Sequence, residues 1–363
     1  MKDKRIINLD LFRAIAILFV IFFHTTQMYA GKQFYTNYYI WGKFGVEFFF
    51  VLSGFLVGGL FYKQTIKVNL FRFWMLRFLR TYPPYIIALL LSYFAVFHSR
   101  NEHFNIGYLI FIQNFYTSIP YFKISWSLCI EEHFYIAFPF FIIISEKILT
   151  KRILQLYFWI FLCVLPSIFR WNFGSSSLVD FGYYETASFF RFEGIAMGCL
   201  LSFLVYRLKL KFHFPALIKF GIVLFFFSML FINVVFKNLF LIYTLGYFLL
   251  NGSLLMLLSL FYFSNNFSGA ASPIVFTTAS MAYSLYLTHA LTINFMVIIA
   301  TKFKIGILIM YPLTISAIFI VGSVFYKLIE LPTIRYRNVF FNSNSLKENK
   351  FYKGIFGLNK PAL

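Results

Sequence analysis

The sequence predicts an all-α fold, a polytopic membrane bundle of about ten transmembrane helices with both termini in the cytoplasm. Three observations carry this. Hydrophobic residues make up 61% of the 363 residues and charged ones only 12%, with a mean hydropathy of +0.78, which excludes an ordinary soluble domain. The apolar residues come in runs long enough to cross roughly 30 Å of hydrocarbon. Lys and Arg gather in alternate connections between those runs, as they do on the cytoplasmic side of membrane proteins. A net charge of +20 would point to nucleic acid in a soluble chain. Here topology accounts for it, so membrane lipids are expected as partners and nucleic acid is not.

Spans are expected near residues 8–30, 41–62, 83–99, 125–146, 153–170, 185–206, 217–236, 239–263, 276–300 and 307–329. No small-residue cleavage site follows the first run, which reads as a retained helix rather than a signal peptide. The third and fifth spans are short, and Pro83, Pro84 and Pro166 are placed to bend or end them. Residues 104–122 are apolar but interrupted by Gly107, Asn114 and Pro120, the pattern of an interfacial or re-entrant segment. With the N-terminus inside, 22 Lys and Arg fall on the cytoplasmic side, eight outside and two, Arg13 and Arg191, within spans. Residues 1–337 form the transmembrane domain. Residues 338–363, rich in Asn, Lys and Ser, read as a loosely ordered cytoplasmic tail. The 55 Phe are read as packing and lipid-facing bulk; Cys129, Cys163 and Cys199 lie in apolar runs without metal-ligand spacing, so neither a metal site nor a disulfide framework is expected. Nothing in the sequence fixes an oligomeric state.

Arg13 and His24 stand eleven residues apart in the first apolar run. At about 100° and 1.5 Å per residue they share one helix face, roughly 16 Å apart along the axis. Ionisable groups inside a membrane helix are costly and usually face a partner, a cavity or a substrate path. Snorkelling of Arg13 and a satisfied core imidazole at His24 are the plainer alternatives, and spacing leaves them open. His24, Glu47, Glu131 and Arg191 each fall about six residues below the outer end of a span, roughly 9 Å into the membrane. Mutual pairing explains such a level. So does a hydrated cavity opening outward, which is the reading favoured here, because histidine among carboxylates and arginine is an acid–base setting. Between the second and third spans, Arg77 and Arg80 share a helical face within a basic, aromatic stretch. It suits anionic lipid headgroups, or a phosphorylated cytoplasmic ligand held by guanidinium forks; the chemistry of the stretch leans to the lipid anchor.

Six segments then fall in a recognisable order. Asn8-Leu-Asp10 leads into the arginine-ten-histidine spacing of Arg13 and His24. Gly45-Val-Glu-Phe-Phe-Phe-Val-Leu-Ser-Gly-Phe-Leu56 follows, then the Arg-x-x-Arg pair Arg77 and Arg80. Trp126-Ser-Leu-Cys-Ile-Glu131-Glu-His-Phe-Tyr135 comes next, and Tyr283-Ser-Leu-Tyr-Leu-Thr-His289 and Glu330-Leu-Pro332 close the series. Together they resemble the acyltransferase-3 family of membrane-bound O-acyltransferases, whose bacterial members acylate sugars of cell-surface polysaccharides. Two positions depart from the family pattern: Leu11 replaces the usual glycine before the arginine, and His133 replaces a usual glutamine. The form without a soluble hydrolase-like domain after the last span is expected.

The resemblance implies a multi-pass protein of the bacterial inner membrane, with acyl-CoA, acetyl-CoA above all, as donor and a glycan or glycolipid hydroxyl as acceptor. It implies no metal. Arg77, Arg80 and Arg13 would hold the donor's phosphates. His24 would act as general base or transient acyl carrier, with Arg13 and Glu131 completing the catalytic set and Glu131 orienting the imidazole or stabilising its protonated form. Arg191 or Tyr283 would support an oxyanion, while Glu47 and His289 are supporting residues for which a structural hydrogen bond is an equal reading. The rival class is a proton-coupled transporter or flippase of a glycan or acylated intermediate, since buried His, Glu and Arg also build proton relays.

Overall fold

Burying backbone polar groups in an apolar bundle demands that each segment satisfy its own hydrogen bonds, and helices alone do this without an edge. A computed structural model of the chain describes residues 6–38, 41–63, 70–100, 103–116, 119–173, 181–235, 241–265 and 267–341. Among them all regular structure is helical. The helices are α1 (Ile7–Tyr38), α2 (Trp41–Lys63), α3 (Leu70–Arg100), α4 (Trp126–Ile143), α5 (Arg152–Phe173) and α6 (Phe181–Thr186), followed by α7 (Glu193–Ser202), α8 (Ala216–Val235), α9 (Tyr247–Phe263), α10 (Ser272–Phe303), α11 (Ile307–Phe325) and α12 (Leu331–Phe341). The tail beyond residue 341 and the basic residues at 1–5 and 64–69 used for orientation lie outside the described residues. The helix of α12 runs through Phe341, past the expected domain limit at 337.

Seven segments of the described residues are long and apolar enough to cross a membrane, against about ten expected. The difference has local causes. The expected third span opens at Pro83, but the helix begins at Leu70 and runs 31 residues. Proline inside a helix removes one internal hydrogen bond and bends the rod, yet neighbouring groups can hold it together. Arg77 and Arg80 therefore lie seven and ten residues into a continuous helix, within the same rod as the expected third span. Proline is likewise tolerated at Pro166 within α5. The expected sixth span, 185–206, is broken: a short 3-10 turn, Ser188–Phe190, separates α6 from α7 and leaves Arg191 in the joint. The apolar part of α8, Ala216–Phe231, falls short of the rest.

The interrupted segment 104–122 folds as 3-10 turns at Ile106–Ile110 and Gln113–Phe115. Its irregular backbone is tolerated because it is packed into protein. Tyr108 and Gln113 are fully buried, Tyr85 donates to the Tyr108 carbonyl at 2.8 Å, and Gln113 donates to both Tyr85 and Ser125 at 3.0 Å.

The tightest crossing joins α2 and α7. A Cβ on Gly54 would stand 1.9 Å from the Ile195 carbonyl oxygen, and one on Gly198 would stand 2.1 Å from that of Val51. Only glycine permits this approach, the small-residue packing that membrane helices use in place of hydrophobic drive. Cys199 and Ser202 then donate to the carbonyls of Gly54 and Phe55. The second-span motif is thus first a packing device. α1 packs on α2, α10 and α11, and α12 closes against α3. Cys129, Cys163 and Cys199 are free and buried.

Candidate active site

The ionisable residues of the interior separate into three groups. The first surrounds a cavity of about 120 Å³ between α1, α2, α3, α4 and α10. Arg13, Arg77, Arg80, Glu131, Glu132 and Tyr283 line it, all half-buried. Arg13 is steadied by Asp10 one turn before it, at 3.8 Å. Asn8 fixes that end of α1 by donating to the carbonyls of Phe261, Ser264 and Asn265 and accepting from the Phe267 amide. The opening Asn-Leu-Asp motif therefore positions Arg13.

Pro139 shapes the α4 wall. It has no N–H to offer the Tyr135 carbonyl four residues earlier, and Trp74 on α3 donates to that carbonyl instead, at 3.0 Å. This ties α4 to the helix bearing the arginines. Arg77 lies over the Tyr135 ring, 3.8 Å from its centre, a cation–π contact, and the Tyr135 hydroxyl donates to Glu131 at 2.8 Å. Thr81 donates to Glu132 at 2.9 Å, and Tyr283 donates to the Thr81 carbonyl at 2.8 Å. Arg77 and Arg80 act on Glu131, and Arg80 and Arg13 act on the buried Glu330. Three guanidiniums thus converge on one space, each within reach of carboxylates that keep them from repelling one another.

The second group is the histidine pair. His24, half-buried on α1, has Nδ1 2.9 Å from the Val20 carbonyl. Its ring centre is 5.1 Å from that of His289 on α10, which is fully buried. His289 in turn lies 5.6 Å from the ring of Tyr286, which lines the arginine cavity. A chain of side chains therefore runs from the arginines to His24.

The third group is closed. Glu47 pairs with Arg191, both about 1% exposed, and Arg170 pairs with Glu193, again at 1% each. Asn251 donates to Glu193, and the Arg191 guanidinium lies 3.8 Å from the Tyr247 ring centre.

Sequence reasoning gathered Arg13, Arg77, Arg80, Glu131 and Tyr283 as site residues, and the structure places all five round one cavity. The expected level of four ionisable groups sharing an outward cavity is corrected: Glu47 and Arg191, each about 1% exposed, pair directly with each other in the interior, whereas Glu131 lines the arginine cavity. Glu131 stands with Tyr135 and the arginines, and the imidazole beside His24 is that of His289. Glu132, Tyr135, Tyr286, Glu330 and Arg337 carried no expected role. Glu132 and Glu330 sat inside quoted motifs, and an acidic residue within an apolar run is itself a signal. Arg337, 2% exposed and within the fields of Arg80 and Arg77, had none before folding. Among the described residues no group of three or more His, Cys, Asp or Glu is placed to hold a metal ion.

A family model described as an acyltransferase domain matches residues 6–327. The chain is 28% identical over 363 residues to a Staphylococcus aureus (strain COL) protein that bears the provisional name of O-acetyltransferase, covering 91% of this chain and 58% of that protein. It is 28% identical over 220 residues to the O-acetyltransferase OatA of Staphylococcus aureus (strain NCTC 8325), covering 54% of this chain and 34% of the relative. The chain thus spans 58% of the length of the first of these relatives. No solved structure matches it.

Proposed function

The chain belongs to the acyltransferase-3 family, and from that premise we propose that it is a membrane O-acyltransferase that moves an acyl group, acetyl above all, from cytoplasmic acyl-CoA to a hydroxyl of an envelope or exported glycan. The observation that carries this reading is the cavity ringed by Arg13, Arg77 and Arg80, whose wall residue Tyr286 packs on His289, which in turn packs on His24. Guanidinium forks match phosphate oxygens, so the donor's phosphates bind at the arginine end. The cavity takes the phosphate edge or the pantetheine arm, with the thioester directed toward His24.

The carbonyl of Val20 can only accept, so His24 carries its proton on Nδ1, which makes Nε2 its basic nitrogen. That nitrogen takes the proton of the acceptor hydroxyl as its oxygen bonds to the acyl carbon. The C–S bond then breaks and the thiolate takes the proton back. Glu131 works through the arginines and Tyr135 rather than on the imidazole. Arg13, Arg77 and Arg80 serve the donor, and Tyr283 holds the α3 wall through Thr81. With the cytoplasmic side assigned by the Lys and Arg bias, the donor enters from the cytoplasm and the glycan from outside, in the inner membrane of a bacterium.

The test is mass spectrometry of envelope glycans from a strain lacking the protein, complemented by wild type or by His24→Ala. Wild type restores an ester of defined mass, and the variant, inserted at equal level, lowers it about 10²- to 10⁴-fold. An ester restored in full by His24→Ala removes the base assignment. No ester lost on deletion removes the enzyme reading in favour of transport.

A further inference from the structure

At His133 this chain departs from the usual glutamine of its motif, and the proposed reaction does not use the residue. The break in the expected sixth span supplies its partner. The 3-10 turn Ser188–Phe190 carries Ser188 out of regular helix between α6 and α7, and its hydroxyl oxygen lies 2.7 Å from His133 Nδ1 of α4. Both residues are half-buried, and neither lines the arginine cavity. The Phe115 ring stacks on the imidazole, with 5.4 Å between centres and 15° between planes, and Phe189 stacks on Phe115 in turn. This stack fixes the plane of the imidazole beside the hydroxyl.

Two carbonyls set the direction of every hydrogen bond between them. The Thr186 carbonyl can only accept, so the fully buried Asn114, 3.0 Å away, presents its NH₂ group there, and the same nitrogen donates to Ser188 Oγ at 2.8 Å. The Ser188 proton is left for His133 Nδ1, the other partner of that hydroxyl among the described residues. At the far end the Phe111 carbonyl, again an acceptor only, takes a hydrogen bond from the imidazole. The ring therefore carries its own proton on Nε2 and a lone pair on Nδ1. Ser188 has its proton directed at a neutral imidazole that a third group orients. That is the arrangement that activates a serine for acyl transfer.

We propose that Ser188 and His133 form a nucleophilic dyad that takes an acyl group from a small carboxylic ester or thioester, as an ester on Ser188. It is independent of the role given to His24. The Oγ–H bond breaks onto His133 Nδ1 as Oγ bonds to the acyl carbon. The imidazole, then protonated on both nitrogens, passes the proton to the departing alkoxide or thiolate as its bond to the acyl carbon breaks. Ser188 is left acylated and His133 neutral. The same steps in reverse, with a glycan hydroxyl as the incoming group, release the acyl group and restore the serine. With the sidedness proposed above, the α6–α7 joint lies toward the outside, from which the glycan arrives. Glutamine at position 133 can accept the Ser188 hydrogen bond but cannot take its proton, so the activity needs the histidine this chain carries.

The test uses the full chain in lipid nanodiscs and diisopropyl fluorophosphate, a small lipid-soluble reagent that phosphorylates activated serines and spares ordinary ones. The expected result is a diisopropylphosphoryl group on the peptide containing Ser188, read by mass spectrometry. His133→Gln keeps an acceptor for the Ser188 proton, so a merely structural pair predicts unchanged unfolding and unchanged labelling. The dyad predicts wild-type thermal unfolding with labelling slowed about 10²- to 10⁴-fold. Folded wild type that takes no label at Ser188, or His133→Gln labelled as fast as wild type, overturns the proposal. p-Nitrophenyl acetate should acetylate the same serine or, where that ester turns over, release nitrophenolate; neither outcome in the wild type would overturn the acyl-transfer role. None of these readouts involves acyl-CoA or His24, so their failure and that of the proposed function are separate.

Discussion

Glu47–Arg191 and Arg77–Glu131 look alike in sequence: a carboxylate and an arginine, far apart in the chain, in apolar surroundings. The fold treats them differently. Glu47 and Arg191 are about 1% exposed and grip each other directly, beside a helix crossing so close that Gly54 and Gly198 admit no Cβ. Arg77 and Glu131 are half-buried, joined through the ring and hydroxyl of Tyr135, and border an open space shared with Arg13 and Arg80. A buried pair in mutual contact is closed to ligands and serves the fold. Charges arranged round a space, each held short of full neutralisation, are placed to receive an anion.

The sharpest way to break that comparison is to remove one partner of each kind. Glu47→Ala leaves the Arg191 guanidinium buried and uncompensated, at an expected cost of about 3–5 kcal/mol, read as a large fall in thermal unfolding temperature in detergent. Replacing both partners with apolar residues, Glu47→Leu with Arg191→Met, should recover most of that loss. If Glu47→Ala instead unfolds like wild type and loses only activity, the pair belongs to the site and the contrast collapses.

On the open side, Arg77→Gln with Arg80→Gln should leave unfolding nearly unchanged. Acetyl-CoA affinity in detergent should fall by about tenfold or more, and the binding that remains should depend less on salt, because charge-assisted contacts to phosphate are lost. Unchanged donor affinity would return the stretch to a lipid anchor, one of the two readings its composition allowed.

The smallest effect tests sidedness. Thr26, half-buried one turn beyond Phe22, bonds to Tyr311, whereas the adjacent Thr25 is fully buried. A cysteine at Thr26 should react with a membrane-impermeant thiol reagent added outside intact cells, and one at Thr25 should not. The native cysteines are all buried and give a low background. Labelling at Thr26 only from the cytoplasm would reverse which substrate comes from which side.

Much of this was legible before folding, because some signals are local. Composition and run length give helices in a membrane, since only a helix satisfies its own backbone in hydrocarbon. The eleven-residue spacing puts Arg13 and His24 on one face, and the ordered motifs single out Arg77, Arg80, Glu131 and His289. Other outcomes depend on neighbours distant in the chain. That α3 continues through Pro83 and Pro84, that the expected sixth span breaks at Arg191, and that Glu47 is sealed while Glu131 is not, all follow from which helix surfaces meet. The companion of His24 is another such outcome: sequence proposed a carboxylate at residue 131, and packing of α1 on α10 delivered the imidazole of His289. Periodicity and composition are properties of a segment and can be read along it. Burial, pairing and the shape of a cavity are properties of contacts between segments, and only the assembled bundle decides them.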